Sequence, residues 1–249
     1  MRDMSNPPNV GRDEPAAGLA QAVVAALGGR YSSLLGIDVD GGDAEIERWF
    51  LAATLFGTRI SASVAERTFS VLDGAGLHRV AEARHISWEN LVALLDQGGY
   101  VRYDFRTATR LQELAEVIWE RYGGEVCVIG RTFPRYPQLR QALDALPGWG
   151  PVTIQLFLRE LRGVWPGAQP PLDQRAGPAA RHLGLVSPST GQLDLAELAR
   201  LASEGGLDPR DLEGGLVRLA LTHLRRKDSC PGGPSCTLLT ARSANPAAS

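Results

Sequence analysis

Two stretches of this chain carry chemistry by residue type and spacing. Leu146-Pro-Gly-Trp-Gly-Pro-Val-Thr153 sets two glycines and two prolines between apolar helical segments, and Pro171-Leu172-Asp173 places a carboxylate just after the second of them. Gly148 and Gly150 permit a tight turn and close backbone approach, and Pro151 falls where a first helical turn tolerates proline. The amides around Gly148, Gly150 and Val152 are then left without intrahelical acceptors. Unpaired amides at a helix start attract phosphate, and such contact does not depend on base sequence. A turn of this kind can grip a nucleic-acid backbone, with Asp173 as an acid set against it. Plainer roles stay open: an ordinary helix-helix turn for Leu146–Thr153, and N-capping for Asp173 in Leu-Asp-Gln-Arg-Ala.

The elements that must position these residues read as helices. Ile46, Trp49, Phe50 and Ala53 recur at helical spacing from Asp43 onward, and further helices are predicted at 62–72, 87–96, 107–122, 136–145, 151–162, 194–203 and 209–226. An Ala/Leu/Val helix precedes them and ends at Gly28-Gly29. Leu111, Leu114, Ala115 and Ile118 form one apolar stripe; Ile154, Phe157, Leu158 and Leu161 form another, and Leu212, Leu216, Leu219 and Ala220 a third. Only Glu125 to Ile129 alternates with period two, and it is too short to seed a sheet. The expected fold is all-α. Gly57, Gly74, Gly98-Gly99, Gly123-Gly124, Gly148 and Gly163 are expected as left-handed helix ends. The two aspartates in Gly36–Gly42 lack the other ligands of a calcium loop and read as an acidic turn.

Composition narrows the classes of function. A chain of 249 residues with net charge -2 can bury a sizeable core but has no global basic signature, so any nucleic-acid contact must be local. Lys227 is the only lysine, which leaves one candidate for Schiff-base chemistry. Cys127, Cys230 and Cys236 do not make a disulfide framework, and a reducing cytoplasm fits them best. Residues 1–15 and 241–249 read as disordered tails. No signal core and no membrane-length apolar run is read, so no membrane partner is expected.

Hairpin and aspartate together resemble the helix-hairpin-helix DNA glycosylase superfamily, the group that includes endonuclease III and the alkylated-base glycosylases. The similarity runs from about Glu45 to Arg226. Phe50-Leu-Ala-Ala-Thr-Leu-Phe-Gly-Thr-Arg-Ile-Ser-Ala-Ser-Val-Ala65 is similar to the family's first barrel helix and following loop, and Gly98-Gly-Tyr-Val-Arg-Tyr103 with the 107–122 helix to its next recognisable region. The resemblance implies a two-lobed fold, with a helical barrel lobe at 46–167 that ends in the hairpin and a second lobe from 16–45 plus 168–240. It implies base-excision repair chemistry on duplex DNA carrying a damaged or mismatched base, by a monomer, with Asp173 as the catalytic aspartate. Gly148, Gly150, Val152 and Thr153 would bind the backbone, and Thr58, Arg59, Tyr100 and Tyr103 are candidates for wedging the duplex. Plainer roles stay open to each: a helix cap and surface charge for Thr58 and Arg59, partly buried packing for the tyrosines.

Two departures refine this. Bifunctional members carry a lysine in the hairpin, where this chain has Pro151-Val152, so a monofunctional enzyme without β-lyase activity is expected. The iron-sulfur cluster of endonuclease III needs four cysteines, and Cys230 and Cys236 are the only two in this tail. With His182 and His223 they make at most a zinc set, and neither cofactor nor metal is expected. In such an enzyme the breaking N-glycosidic bond develops positive charge on the sugar, which a carboxylate stabilises while it directs water. A DNA-binding or damage-recognising protein on the same scaffold, without catalysis, is the alternative. Arg131/Arg135, Arg159/Arg162 and Arg225/Arg226 are candidate phosphate contacts.

Overall fold

A computed structural model of the chain describes residues 13–57, 60–186, 193–224 and 230–239. Every regular element is helical, with no strand among the described residues. The helices are α1 (Asp13–Leu27), the single turn α2 (Tyr31–Leu34), α3 (Asp43–Phe56), α4 (Ala62–Gly74), α5 (Trp88–Gly98) and α6 (Asp104–Tyr122). There follow α7 (Cys127–Thr132), α8 (Tyr136–Asp144), α9 (Pro151–Glu160), α10 (Ala176–His182), α11 (Leu195–Glu204) and α12 (Pro209–Thr222), with 3-10 turns at Val80–His85 and Gly233–Ser235. None of the described helices is long and apolar enough to cross a membrane. The expected tails lie outside the described residues except for 13–15, which form the first turn of α1. Pro15 is tolerated there because a first-turn amide has no intrahelical acceptor.

The chain divides into two compact units, residues 32–170 and residues 1–31 with 171–249. Segment 32–45, expected with the second lobe, belongs to the unit that holds the hairpin. Ile37 and Val39 are buried, and the Ser32 amide donates to Glu160.

In the 32–170 unit the sequence decides which helix is central. From Trp49 to Leu55 α3 is apolar on nearly every side, so no face of it suits water. Trp49, Phe50, Leu51, Ala52, Ala53 and Leu55 are all fully buried. α4, α7, α9 and the 80–85 turn pack around it. The predicted stripes of α6 and α9 are buried throughout, and Ser61 and Ser87 start α4 and α5 by accepting from the amides of Val64 and Asn90. The alternating Glu125–Ile129 is the run-in to α7, because five residues are too few to separate period two from one helical turn. Gly99 and Gly123 end their helices left-handed as expected, but Gly57 has φ -69° and Gly74 is simply the last residue of α4.

In the other unit α1 and α10 pack on α12, and α11 packs on both α1 and α12. Gly214 and Gly215 lie inside α12, where each glycine costs about 1 kcal/mol against alanine. Close packing accounts for them: a β-carbon on Gly214 would lie 2.5 Å from the Gly29 carbonyl oxygen. Arg218 donates to the Leu27 carbonyl at the end of α1 and sits 3.9 Å from the centre of the Tyr31 ring. α10 runs through Gly177 and Pro178, since proline in the first turn removes no helical hydrogen bond.

Three buried glutamates tie chain segments together inside these units. Glu47 accepts from the Val126 amide, Glu160 from the Ser32 amide and Glu213 from the Asp173 amide. Burial pushes the Glu47 carboxyl up to about 7, partly offset by the Val126 amide and the Arg79 charge.

Candidate nucleic-acid interface and catalytic acid

The hairpin is shaped by one glycine and anchored by one tryptophan. Gly148 takes φ +79°, the left-handed region that favours glycine, whereas Gly150 is extended at φ -132° and caps α9. No atom outside the immediate chain lies within 4 Å of where a Gly150 β-carbon would be, so space is open in front of it. Trp149 turns inward and is 5 % exposed. Its ring stacks on Phe50 at 4.2 Å and meets Phe157 edge-on at 5.2 Å, and its Nε1 donates to Thr54 Oγ1 at 3.2 Å. The Trp149 amide donates to the Leu146 carbonyl, while those of Gly148, Gly150, Val152 and Thr153 make no hydrogen bond among the described residues. Val152 is 61 % exposed. The turn and the first turn of α9 thus carry four amides uncommitted among the described residues, with an apolar stack behind the turn.

Thr153 serves packing through its side chain, which is buried against the end of α3. A β-carbon on Gly57 would come 2.1 Å from Thr153 Oγ1, which explains a glycine there without a left-handed turn. The loop that starts at Gly57 therefore leaves α3 beside the hairpin; Thr58 and Arg59 lie outside the described residues. Tyr100 is no wedge: it is 1 % exposed and its hydroxyl donates to the Leu55 carbonyl at 2.7 Å. An aromatic side chain between two glycine-bounded helices found core volume to fill. Tyr103 is half-buried at the start of α6, with the Arg102 guanidinium 5.7 Å from its ring centre.

Arg110, which sequence reasoning passed over, stands beside the turn. Its Cδ lies 3.4 Å from the position of a Gly148 β-carbon, and it makes no hydrogen bond or ion pair among the described residues. Its place on α6, off the apolar stripe, marks it only as polar; tertiary packing brings it to the hairpin. The arginines singled out from sequence fare differently. Arg131 bridges Asp43 at 2.7 Å and Glu125 at 3.3 Å, Arg159 is buried next to Glu160, and Arg162 donates to the Pro170 carbonyl. Arg135 is exposed and donates to Gln138, and Arg225 and Arg226 lie outside the described residues.

Asp173 lines a cavity of about 360 Å³ together with Leu172, Gln174, Gly177, Pro178, Arg181 and Leu193. That is the lower end of the range for small-molecule sites. Its carboxylate also organises the local turn. Oδ1 accepts from the Arg175 amide at 2.9 Å and Oδ2 from Arg175 Nη1 at 3.2 Å, and its own amide donates to Glu213. The side chain is 9 % exposed. It therefore combines the turn-capping role with a place on a cavity wall.

One further group in this unit has metal-binding chemistry. The ligand atoms of His182, His223, Cys230 and Cys236 all lie within 4.8 Å of one another. Desolvation raises the Cys230 thiol, but hydrogen bonds from the Thr237 hydroxyl and amide, the Gly232 amide and His223 outweigh it and hold the thiol down at about 5. Cys127 is elsewhere, in the 32–170 unit, and burial pushes its thiol up. Compared with known proteins, the chain matches no protein-family model, and no curated protein matches it significantly.

Proposed function

We propose that the protein is a monofunctional DNA glycosylase of the helix-hairpin-helix kind. The observation that carries the reading is the hairpin: the amides of Gly148, Gly150, Val152 and Thr153 have no partner among the described residues, space is open at Gly150, and the Arg110 guanidinium, unpaired among those residues, stands beside Gly148. Main-chain donors plus one arginine suit a phosphate backbone and carry no sequence information. The cavity at Asp173 is the candidate for an extruded base. The Asp173 carboxylate is the group that would stabilise charge developing on the sugar. Water oxygen bonds to the sugar carbon as the glycosidic bond breaks, the base leaves with the electron pair, and the water proton passes to the carboxylate or the departing base. Val152 stands where a lyase would need lysine, so the product is an intact abasic strand.

The test is a panel of duplexes carrying uracil, oxidised pyrimidines or alkylated purines. Base release is expected on at least one, with strand breaks appearing only after alkali; borohydride trapping of a covalent complex would rule out the monofunctional mechanism. Asp173→Asn should abolish release and keep DNA binding, whereas unchanged release would remove Asp173 from the chemistry. Arg110→Ala should weaken binding evenly across sequences and lower the salt slope by about 1. A second reading, DNA recognition without catalysis, is favoured by one observation: both Asp173 oxygens are already engaged by Arg175. Tight binding to abasic or mismatched duplex with no turnover on the panel would select it.

A further inference from the structure

We propose that His182, His223, Cys230 and Cys236 form a closed, four-coordinate zinc site that fastens the 230–239 segment to the ends of α10 and α12. His182 is the last residue of α10, and His223 follows the last residue of α12. The cysteines flank the glycine-rich turn Pro231–Ser235, which returns the chain to those two helix ends.

Distances favour one ion. Tetrahedral zinc with sulfur at ~2.3 Å and nitrogen at ~2.05 Å separates its ligand atoms by about 3.3 to 3.8 Å. All four ligand atoms here are within 4.8 Å of one another, and Cys236 Sγ is 3.6 Å from His223 Nε2. A slight contraction on metal entry completes the tetrahedron. A two-iron cluster with two cysteines and two histidines holds thiolates and imidazoles on different metals, which spreads them further apart, and a four-iron cluster needs four thiolates. Two soft thiolates and two imidazoles in tetrahedral array suit zinc. Two thiolates also neutralise the dication, so no net charge is buried.

The surroundings are built for these ligands. Nε2 of His182 is buried and has no hydrogen-bond partner among the described residues, an expensive state for an imidazole nitrogen unless a metal takes the lone pair. The two imidazole rings lie 5.2 Å apart at 59°, which leaves their nitrogens free to converge. Cys236 is fully buried. The Thr237 amide and hydroxyl donate to Cys230 Sγ at 3.3 and 3.5 Å, the kind of outer contact that orients a thiolate ligand. Gly232, at φ +73°, presses so closely on α10 that a β-carbon would lie 2.4 Å from the His182 carbonyl oxygen. With all four positions supplied by the protein no site is open for water, so the zinc is structural and separate from any chemistry at Asp173.

The test uses the full chain. Elemental analysis of protein purified without chelator should find one zinc per chain. Cobalt(II) added to chelator-stripped protein should give the intense tetrahedral visible bands and a sulfur-to-cobalt charge-transfer band. Cys230→Ser and His223→Gln should each lose the bound zinc and the tetrahedral spectrum with helical content retained. Thr237→Val, which keeps every ligand, should bind cobalt roughly 10-fold more weakly. A folded chain that takes up neither zinc nor cobalt, a Cys230–Cys236 disulfide in the reduced preparation, an iron-sulfur chromophore, or a tetrahedral spectrum that survives both ligand variants would overturn the proposal. The cobalt spectrum of the unsubstituted chain decides the matter even where a variant fails to fold.

Discussion

The hairpin at Leu146–Thr153 and the turn at Asp173 both stand where a helix begins, and they are held by opposite means. At the hairpin the anchoring is apolar: Trp149 stacks on Phe50 and meets Phe157, while four main-chain amides keep their hydrogen-bonding capacity. At Asp173 the anchoring is polar: the amide goes to Glu213 and both carboxylate oxygens to Arg175. A turn fixed by packing can offer its donors to a ligand at no internal cost. A turn fixed by hydrogen bonds has its polar groups held in place, and each buried one left unsatisfied costs about 1–3 kcal/mol. The first region keeps main-chain donors uncommitted among the described residues, whereas at the second Arg175 orients a carboxylate whose oxygens can each accept a further hydrogen bond.

The contrast can be broken at its strongest point first. Trp149→Ala should destabilise the protein by about 3–5 kcal/mol, the usual result of emptying a buried aromatic site, read as a lowered midpoint in urea. A loss below ~1 kcal/mol would mean that the hairpin is not held from behind.

Next comes Glu47, whose folded pKa is raised from 4.5 to about 7. A carboxyl raised on folding favours the protonated native state, so its contribution is fully present below pH 4.5 and is lost as pH rises through about 7. The size is of order 3 kcal/mol. Stability of the wild type relative to Glu47→Gln should fall over that window, and parallel pH profiles for the two proteins would refute the assignment. Other acids, Asp73 and Asp208 among them, are lowered by arginine partners and work in the opposite direction, which is why the comparison with the variant is needed.

The smallest effect tests the unit that carries Asp173. Gly214→Ala improves helix propensity by about 1 kcal/mol but drives a methyl group onto the Gly29 carbonyl. A net loss of roughly 1–3 kcal/mol is expected from overpacking, measured by denaturation. A stabilised variant would show that α1 and α12 do not need this close approach.

Much of the fold was legible because periodicity reports burial directly. The stripes of α6 and α9 and the helical spacing of Ile46, Trp49, Phe50 and Ala53 in α3 follow from local pattern. Tyr100 follows the plainer of its two readings, packing rather than wedging, and the sequence left both open because residue type alone does not separate an exposed aromatic from one that fills core volume. Arg110 and the three buried glutamates left no local mark at all, since each matters through a partner far away in sequence. Gly57 was legible as a special position but with the wrong cause, a contact with Thr153 rather than a left-handed turn.

By itself the sequence determined an all-helical chain, a glycine-bent turn with unpartnered amides, the absence of a lysine from that turn, and two cysteines where a cluster would need four. These are properties of residue type and of neighbours a few positions apart. Only tertiary structure decided that Trp149 locks the turn from behind, that Arg175 holds the Asp173 carboxylate in a cavity wall, and that His182 and His223 meet Cys230 and Cys236. Trp149 meets Phe50, and His182 meets His223 and the two cysteines, across tens of positions through helix packing that no local pattern encodes, whereas Arg175 lies two residues from Asp173 and only its side-chain geometry was left to the fold.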